Sequence, residues 1–396
     1  MGSGGQGRSD GTWGREKWAK IYSAYTEGLS SEEVERLFRH ETRDAWRFFT
    51  SEKEREDLKD KSWDERLWRG TKALFVGFIL KLSPVRRVIY TVAALFFVLG
   101  MVLLVRDTGS PGFYLLASFL LFNLLLGLEL ADKLMLKSDL MIARRIQFTL
   151  LPPEKYRREG VVDVYGASIP ANTVGGDYYD VLEIEDGKLL LAIGDVSGKG
   201  IPAALLMAYL QASLRALIAD GRTDLVELMS TLNRHIFLNT PSNKLITFFL
   251  AKLDFEQGRL WYCNAGHNRP LLLKRDGQLE ELSEGGLPLG IREEQPYQQG
   301  ELGVKPGDLL YGYTDGVTEA ERESGEQFEE ERLRQALRRY AGQDPEAICR
   351  MILKEVRDFV KGNRFRDDLT MLIARLENKA DASQAGPPPP PPDPPS

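Results

Sequence analysis

The sequence predicts an α+β domain in its second half, preceded by a helical hairpin that crosses a membrane. Between residues 161 and 376, short β-rich runs alternate with helical stretches, and several of the runs are joined by only a few turn residues. Such short connections favour antiparallel pairing over a doubly wound parallel sheet. Upstream, two neighbouring runs without charged residues are long enough to cross a lipid bilayer.

Composition restricts the classes of function. The 396 residues are 43% hydrophobic and 28% charged, which is ordinary for a chain that buries a core. The net charge of −6 argues against a general nucleic-acid-binding protein, so no nucleic-acid partner is expected. The two cysteines and three scattered histidines argue against a disulfide framework and a zinc site. Any metal bound here is therefore expected to be a hard cation held by carboxylates.

The N-terminal region, residues 1–72, is strongly charged and rich in tryptophan. Ser30 and Glu33 form the pattern of a capping box, which predicts the start of a helix. We interpret this region as a small, helical, cytoplasmic segment that carries no chemistry of its own.

The membrane hairpin is assigned to residues 73–131, with spans at about 88–105 and 110–130. Lysine and arginine residues flank both outer ends, whereas Arg106 is the only basic residue of the connecting turn at 106–112. The positive-inside rule then predicts a multi-pass protein of the cytoplasmic membrane with both termini and the downstream domain in the cytoplasm. The first 70 residues lack an apolar segment, so no signal peptide is expected. The alternative is a buried hairpin in a soluble protein, where two adjacent charge-free runs of this length are rare.

A linker helix is predicted at residues 132–153, and Pro152-Pro153 ends it. Apolar residues three or four positions apart form a stripe within residues 129–150 that could pair two copies of the chain or pack on the next domain. This stripe contains Leu136, Leu140, Ala143, Ile146 and Leu150. The proline-rich tail at 378–396 is predicted to be extended and disordered.

The domain at residues 154–377 contains the regular elements of the α+β fold. Apolar and β-branched runs predict strands at 188–194, 245–254, 258–263, 269–274, 308–313 and 369–375. Helical periodicity predicts helices at 202–219, 224–238, 328–340 and 345–361.

Four acidic motifs lie at strand ends or turns of this domain. They are GGDYYD at 175–180, GDVSGKG at 194–200, YTDGVTE at 313–319 and RDDLT at 366–370. Hard divalent cations require several oxygen ligands, and a cation neutralises carboxylates that would otherwise repel each other. Adjacent glycines let the backbone turn sharply. One such motif alone is usually a structural turn, but four in one domain predict a metal site.

These motifs, together with NAGH at 264–267, resemble the SpoIIE/RsbU-type branch of the PP2C-like (PPM) phosphatases in order and spacing. IQFTLLP at 146–152 resembles the join between regulatory and catalytic domains in that family. The resemblance covers about residues 143–376 and implies a four-layer α-β-β-α sandwich with two Mn²⁺ or Mg²⁺ ions at one edge. It also implies a protein serine/threonine phosphatase whose phosphoprotein substrate is often a STAS-type anti-sigma-factor antagonist.

The resemblance further implies which residues hold the first metal ion. Asp195 would bridge both ions, and the carbonyl of Val196 would join it. Asp177 would serve one ion, directly or through water.

The second ion would be served by Asp315 and Asp367, with Asp368 as an additional neighbour. Two cations about 3.5–4 Å apart lower the pKa of a shared water, so that hydroxide is available near neutral pH. The aspartates would therefore act in catalysis through this water, without a serine or cysteine nucleophile.

Several neighbouring residues keep open alternatives. His267 could act as a general acid or stabilise its turn, and Lys199 could attract phosphate or be a solvated loop lysine. Ser197 has no histidine and acid placed to activate it as a nucleophile. No arginine precedes the GGD motif, so the phosphate-binding residue is not assigned.

Three other functions explain the sequence less well than a phosphatase does. A catalytically inactive, membrane-bound binding module of the same fold would be expected to lose one or more metal-binding acids, and all are present. A diguanylate cyclase would have an acid, a glutamate and a phenylalanine after the two glycines, whereas Tyr178 and Tyr179 follow Asp177 here. A purely structural membrane protein would leave the domain after residue 150 unexplained.

Overall fold

The computed structural model describes residues 63–184, 187–241, 244–362 and 364–377. The helices are α1 (Trp63–Lys81), α2 (Pro84–Val105), α3 (Pro111–Leu150), α4 (Ile201–Ala219), α5 (Leu225–Asn239), α6 (Asp315–Thr318), α7 (Glu329–Tyr340) and α8 (Pro345–Val360). The strands are β1 (Lys155–Arg158), β2 (Val162–Ile169), β3 (Tyr178–Glu183), β4 (Leu189–Val196), β5 (Ile246–Asp254), β6 (Arg259–Ala265), β7 (Leu271–Leu273), β8 (Leu279–Glu281), β9 (Gly285–Gly286), β10 (Gly300–Gly303), β11 (Leu309–Tyr313) and β12 (Leu369–Leu376). The helix predicted to start at Ser30 and the tail predicted at 378–396 lie outside the described residues.

The chain divides into two compact units, Met1–Leu134 and Met135–Ser396. In the first unit, α2 packs against the first part of α3. The hydroxyl of Ser118 donates a hydrogen bond to the carbonyl of Ala93 at 2.9 Å, and Leu115 packs directly on Gly100, where a larger residue would collide with it. Many apolar side chains of α2 remain exposed. Leu95 and Phe97, for example, are 62% and 50% exposed. Both helices are long and apolar enough to cross a membrane, which is compatible with membrane association.

A third helix, α4, also reaches the length and hydropathy of a membrane span. Its apolar side chains have a different environment, because Met207, Leu210 and Leu214 are fully buried in a core cluster of the second unit. Composition alone therefore does not separate α4 from a membrane helix, and its packing explains why it is apolar.

Two antiparallel sheets form the centre of the second unit. The first sheet has the strand order β1-β2-β12-β11-β7-β8, and the second has the order β10-β6-β5-β4-β3, with β9 pairing in parallel with β6. The long apolar strands β4 and β5 pair along their whole length, from Leu189 opposite Leu253 to Val196 opposite Ile246. This antiparallel order confirms the pairing that the short connections predict.

Three apolar cores separate four layers. One core lies between the two sheets and includes Val164, Ile193 and Leu372. A second core joins α4 and α5 to the outer face of the β3–β6 sheet, and a third joins α7 and α8 to the outer face of the other sheet. The layers therefore follow the order α-β-β-α, which confirms the architecture that the family resemblance implies.

Local sequence signals set the ends of these helices. The Asp224 carboxylate accepts a hydrogen bond from the Glu227 amide at 2.8 Å and caps α5. The Asp344 carboxylate caps α8 in the same way through the Ala347 amide at 2.9 Å, and α8 starts with a proline, which lacks the N–H that would be unsatisfied there. The predicted linker helix is the C-terminal part of α3, which runs for 40 residues without a break.

Candidate metal centre

The five predicted acidic residues all lie at one edge of the sandwich. Asp177 stands directly before β3 and Asp195 near the end of β4, and these strand ends are adjacent because β3 and β4 are antiparallel. Asp315 follows β11, and Asp367 and Asp368 precede β12, which pairs antiparallel with β11. Each sheet therefore contributes acids to the same edge.

Hydrogen bonds across this edge link the two sheets. The Thr314 hydroxyl, just after β11, donates to the Asp177 carboxylate at 2.8 Å. The same hydroxyl accepts from the Thr370 amide of β12 at 2.9 Å. The Asp368 carboxylate accepts from the Gly176 amide at 2.6 Å. These bonds fix the loop of the GGD motif against the ends of β11 and β12.

Two glycines of the motifs are required by close approach of their neighbours. A Cβ on Gly175 would lie 2.5 Å from a carboxylate oxygen of Asp368. A Cβ on Gly316 would collide with the backbone carbonyl of Asp368. The glycines beside these acids therefore allow the acidic loops to pack against each other.

The carboxylates destabilise one another as anions. Burial, followed by the charges of Asp315 and Asp367, raises the pKa of Asp195 to about 7. Burial, followed by the charges of Glu319 and Asp367, raises the pKa of Asp315 to about 6. The pKa of Asp177 is raised well above its usual value by burial and then by the charge of Asp195. A divalent cation would relieve this repulsion, and the all-oxygen donor set suits Mg²⁺ or Mn²⁺.

The acids are not arranged as a closed coordination shell. Within the described parts of the chain, no three acidic, histidine or cysteine side chains are close enough to hold one ion together. Asp367 is instead paired with Lys199, at 2.8 Å between the ammonium nitrogen and a carboxylate oxygen. Lys199 also donates to the carbonyl of Arg366. Lys199 is therefore a half-exposed loop residue whose ammonium is already engaged by Asp367 and the Arg366 carbonyl.

The loop between β4 and α4 is shaped by two glycines and by Ser197. Gly198 and Gly200 have positive φ angles of 100° and 73°, which glycine adopts without strain. The Ser197 hydroxyl accepts a hydrogen bond from the Leu245 amide at 2.9 Å. Ser197 therefore links this loop to the start of β5.

His267 is part of a tight turn after β6. Its amide donates to the Asn264 side-chain oxygen at 2.7 Å, and the Asn264 side-chain amide donates back to the His267 carbonyl at 3.1 Å. Burial lowers the pKa of His267 to about 4, so the ring is neutral near pH 7 and holds no proton suited to a general acid. Between the two alternatives, the geometry favours a turn-stabilising role.

An ion pair between a buried aspartate and a half-exposed arginine was not predicted. Asp180 is fully buried and accepts two hydrogen bonds from Arg215 of α4, at 2.8 and 3.0 Å, and one from the Tyr178 hydroxyl at 2.7 Å. This pair fastens α4 to β3. The acid belongs to the GGDYYD motif, but only strand geometry shows that Asp180 faces α4 and not the metal edge.

The end of α3 is joined to the loop of the GGD motif. The Gln147 side chain donates to the Gly175 carbonyl at 2.6 Å and accepts from the Gly175 amide at 3.1 Å. In addition, the Gln211 side chain of α4 donates to the Leu150 carbonyl at 2.5 Å. The IQFTLLP segment of the family resemblance contains this glutamine, but the sequence does not predict its contact with Gly175.

Comparison with known proteins gives the family. Residues 185–377 match the family model of stage II sporulation protein E (SpoIIE). Phosphoserine phosphatase RsbU of Bacillus subtilis (strain 168) is 30% identical over 244 residues, which are 61% of this chain and 70% of RsbU. The chain belongs to the SpoIIE/RsbU family of PP2C-like phosphatases. It is a protein serine/threonine phosphatase.

Two further comparisons place this SpoIIE/RsbU-type phosphatase among its relatives. Phosphoserine phosphatase RsbP of Bacillus subtilis (strain 168) is 29% identical over 189 residues, which are 47% of this chain and 46% of RsbP. The SiaA-PP2C domain of Pseudomonas aeruginosa has a TM-score of 0.55 at 22% identity, over 62% of this chain and 99% of that domain. The structural similarity supports the PP2C-like fold of the second unit.

Proposed function

We propose that this phosphatase hydrolyses phosphoserine or phosphothreonine on a regulatory protein, and that this protein is a STAS-type anti-sigma-factor antagonist. The observation that carries the proposal is the convergence of acids from both sheets, where burial and mutual repulsion raise the pKa values of Asp177, Asp195 and Asp315. RsbU and RsbP, the relatives described above, are phosphoserine phosphatases by name. The motifs of this chain resemble those of enzymes whose substrates are often STAS proteins.

The proposed cofactor is a pair of Mn²⁺ or Mg²⁺ ions. Asp195 and Val196 are the last two residues of β4, and Asp195 interacts electrostatically with Asp177, Asp315 and Asp367. We assign Asp195 as the bridging ligand, and Asp177, with the Val196 carbonyl, to one side of the pair.

The other side of the pair is assigned to Asp315 and Asp367. Asp368 accepts hydrogen bonds from the Ala171 and Gly176 amides at 2.8 and 2.6 Å, so its oxygens already hold the loop of the GGD motif in place. We therefore propose that Asp368 is a positioning neighbour more than a direct ligand. When bound, the ions supply an activated water near neutral pH.

We further propose that the hairpin spans the cytoplasmic membrane with both ends and the catalytic domain in the cytoplasm. The support is the excess of lysine and arginine outside the two apolar runs. Leu136 and Ile146 on the predicted stripe of α3 are 56% and 57% exposed. That exposure supports a homodimer formed through residues 129–150.

The experiment uses the full-length protein in detergent and a panel of phosphorylated STAS proteins from the same cell. We expect Mn²⁺-dependent phosphate release from at least one member, stopped by EDTA and restored by added Mn²⁺. A phosphorylated non-STAS protein serves as the substrate control. Release from the control alone would contradict the STAS assignment. No release from any phosphoprotein would favour the inactive binding module of the same fold.

A further inference from the structure

A cationic cavity lies on the helical side of the first sheet, at the far end of the strands that carry the metal-binding acids. Its volume is about 540 Å³. Leu309 starts β11 in its wall, and Arg375 lies one residue before the end of β12. The acidic residues follow the other end of β11 and precede the other end of β12. At about 3.3 Å per strand residue, the cavity is about 20–25 Å from the metal edge.

The charged side chains in the cavity wall are all basic. They are Lys274 and Arg275 at the end of β7, Arg338 on α7 and Arg375 on β12. Lys274 is already engaged, since its ammonium lies 3.5 Å from the Asp308 carboxylate. No acidic side chain lines the cavity in the part of the chain that the structure describes. The positive charge of this recess is therefore not balanced within its own wall.

The arginines retain unused hydrogen-bonding capacity. Arg375 donates through one terminal nitrogen to the carbonyls of Ala341 and Gln343, at 2.5 and 2.7 Å, while its Nε is buried without a partner. Arg275 and Arg338 make no side-chain hydrogen bond or ion pair with any described residue. The stem of Arg275 lies against Gly307, which has a φ of 95° and leaves space for it. Arg275 and Arg338 are exposed residues of the cavity lining, so their donors are available to a ligand.

We propose that this cavity binds a small, soluble, phosphate-bearing anion. Guanidinium groups recognise phosphate through paired hydrogen bonds, and a recess of this volume holds a small ligand. No metal-binding acid takes part, so this site is separate from the metal centre.

Pyrophosphate is the probe, titrated calorimetrically into the full-length protein in detergent with EDTA present and with Asp195→Asn as background. EDTA and the background substitution remove binding at the metal centre. The test variant is Arg275→Gln/Arg338→Gln, which leaves the structural Arg375 intact. The control is Arg339→Gln/Arg350→Gln, because these exposed arginines carry the same charge and do not line the cavity.

We expect the test variant to weaken pyrophosphate binding by at least about tenfold, as the loss of one or two charge-assisted hydrogen bonds requires. The control should bind as tightly as the parent protein. Equal weakening in both double variants would show non-specific attraction to surface charge and overturn the proposal. Absence of binding to the parent protein at millimolar pyrophosphate would also overturn it.

Discussion

Lys199 shows how a single side chain can compete with a metal ion. Its ammonium is 2.8 Å from a carboxylate oxygen of Asp367, which we assign as a metal ligand. Both side chains are partly exposed, at 49% and 39%, so the pair is screened by water. A cation that binds Asp367 must displace this lysine or share the carboxylate with it.

We predict that Lys199→Gln lowers the Mn²⁺ concentration for half-maximal activity by about two- to fivefold, because exposed ion pairs contribute up to about 1 kcal/mol. The measurement is phosphate release as a function of Mn²⁺ concentration. Lys354→Gln, on the exposed face of α8, removes the same charge away from the centre and should leave the curve unchanged. A higher KM for the phosphoprotein, with an unchanged Mn²⁺ curve, would instead assign Lys199 to phosphate binding.

At the scale of elements, α3 and α4 contact the GGDYYD motif at residues 175–180. Gln147 holds Gly175 through two hydrogen bonds, and Arg215 fastens α4 to the buried Asp180 of β3. A rigid helix can transmit a rotation that a flexible linker would absorb. The end of α3 is therefore suited to change the positions of Asp177 and Asp368 when α3 moves.

We predict that Gln147→Ala raises the Mn²⁺ concentration for half-maximal activity by about tenfold, since partners that orient metal ligands typically affect affinity by this amount. Thr149→Ala is the matched control, because among the described residues the Thr149 hydroxyl bonds only to the Arg145 carbonyl of its own helix. Thermal unfolding checks that both variants fold. A Gln147→Ala protein that folds normally and has the Mn²⁺ response of Thr149→Ala would show that α3 is only a tether.

At the scale of the whole molecule, one chain combines apolar helices with a catalytic sandwich. The exposed apolar surfaces of α2 and of the first part of α3 are compatible with membrane association, since a bilayer core of about 30 Å matches about 20 residues of each helix. The proposed orientation rests on the lysine and arginine residues outside the two apolar runs.

We predict that reporter fusions at residues 70 and 380 both give a cytoplasmic signal, because the basic residues flank the outer ends of the two spans. A fusion in the turn at 106–112 is the control and should report from the other side of the membrane. An extracytoplasmic signal from residue 70 or 380 would contradict the orientation.

Much of the fold follows from local patterns, because strands buried on both faces are continuous apolar runs. The sequence predicted β4 and β5 within two residues of their observed ends for this reason. It did not separately predict β2, where Gly166 and Ser168 interrupt the apolar run, or β3, which overlaps the GGDYYD motif.

The candidate site was predicted only as far as residue types allow. The acids at strand ends could be named from sequence, since antiparallel strand ends meet at one edge. The partners Thr314, Arg215 and Gln147 could not, because each contact joins segments about 28 to 137 residues apart and depends on the sheet register. The ion pair between Lys199 and Asp367 could not be predicted either, because it depends on the geometry of two loops.

The central claim is that acids from both sheets hold the metal ions that catalysis requires, with Asp195 between them. The most direct measurement compares Asp195→Asn with Asp358→Asn, an equal change at an exposed position of α8, for Mn²⁺ binding and phosphate release. The account predicts that Asp195→Asn stays folded, loses Mn²⁺ affinity and loses activity by at least about a hundredfold, while Asp358→Asn behaves as the parent protein. Near-parental turnover by folded Asp195→Asn at saturating Mn²⁺ would contradict it.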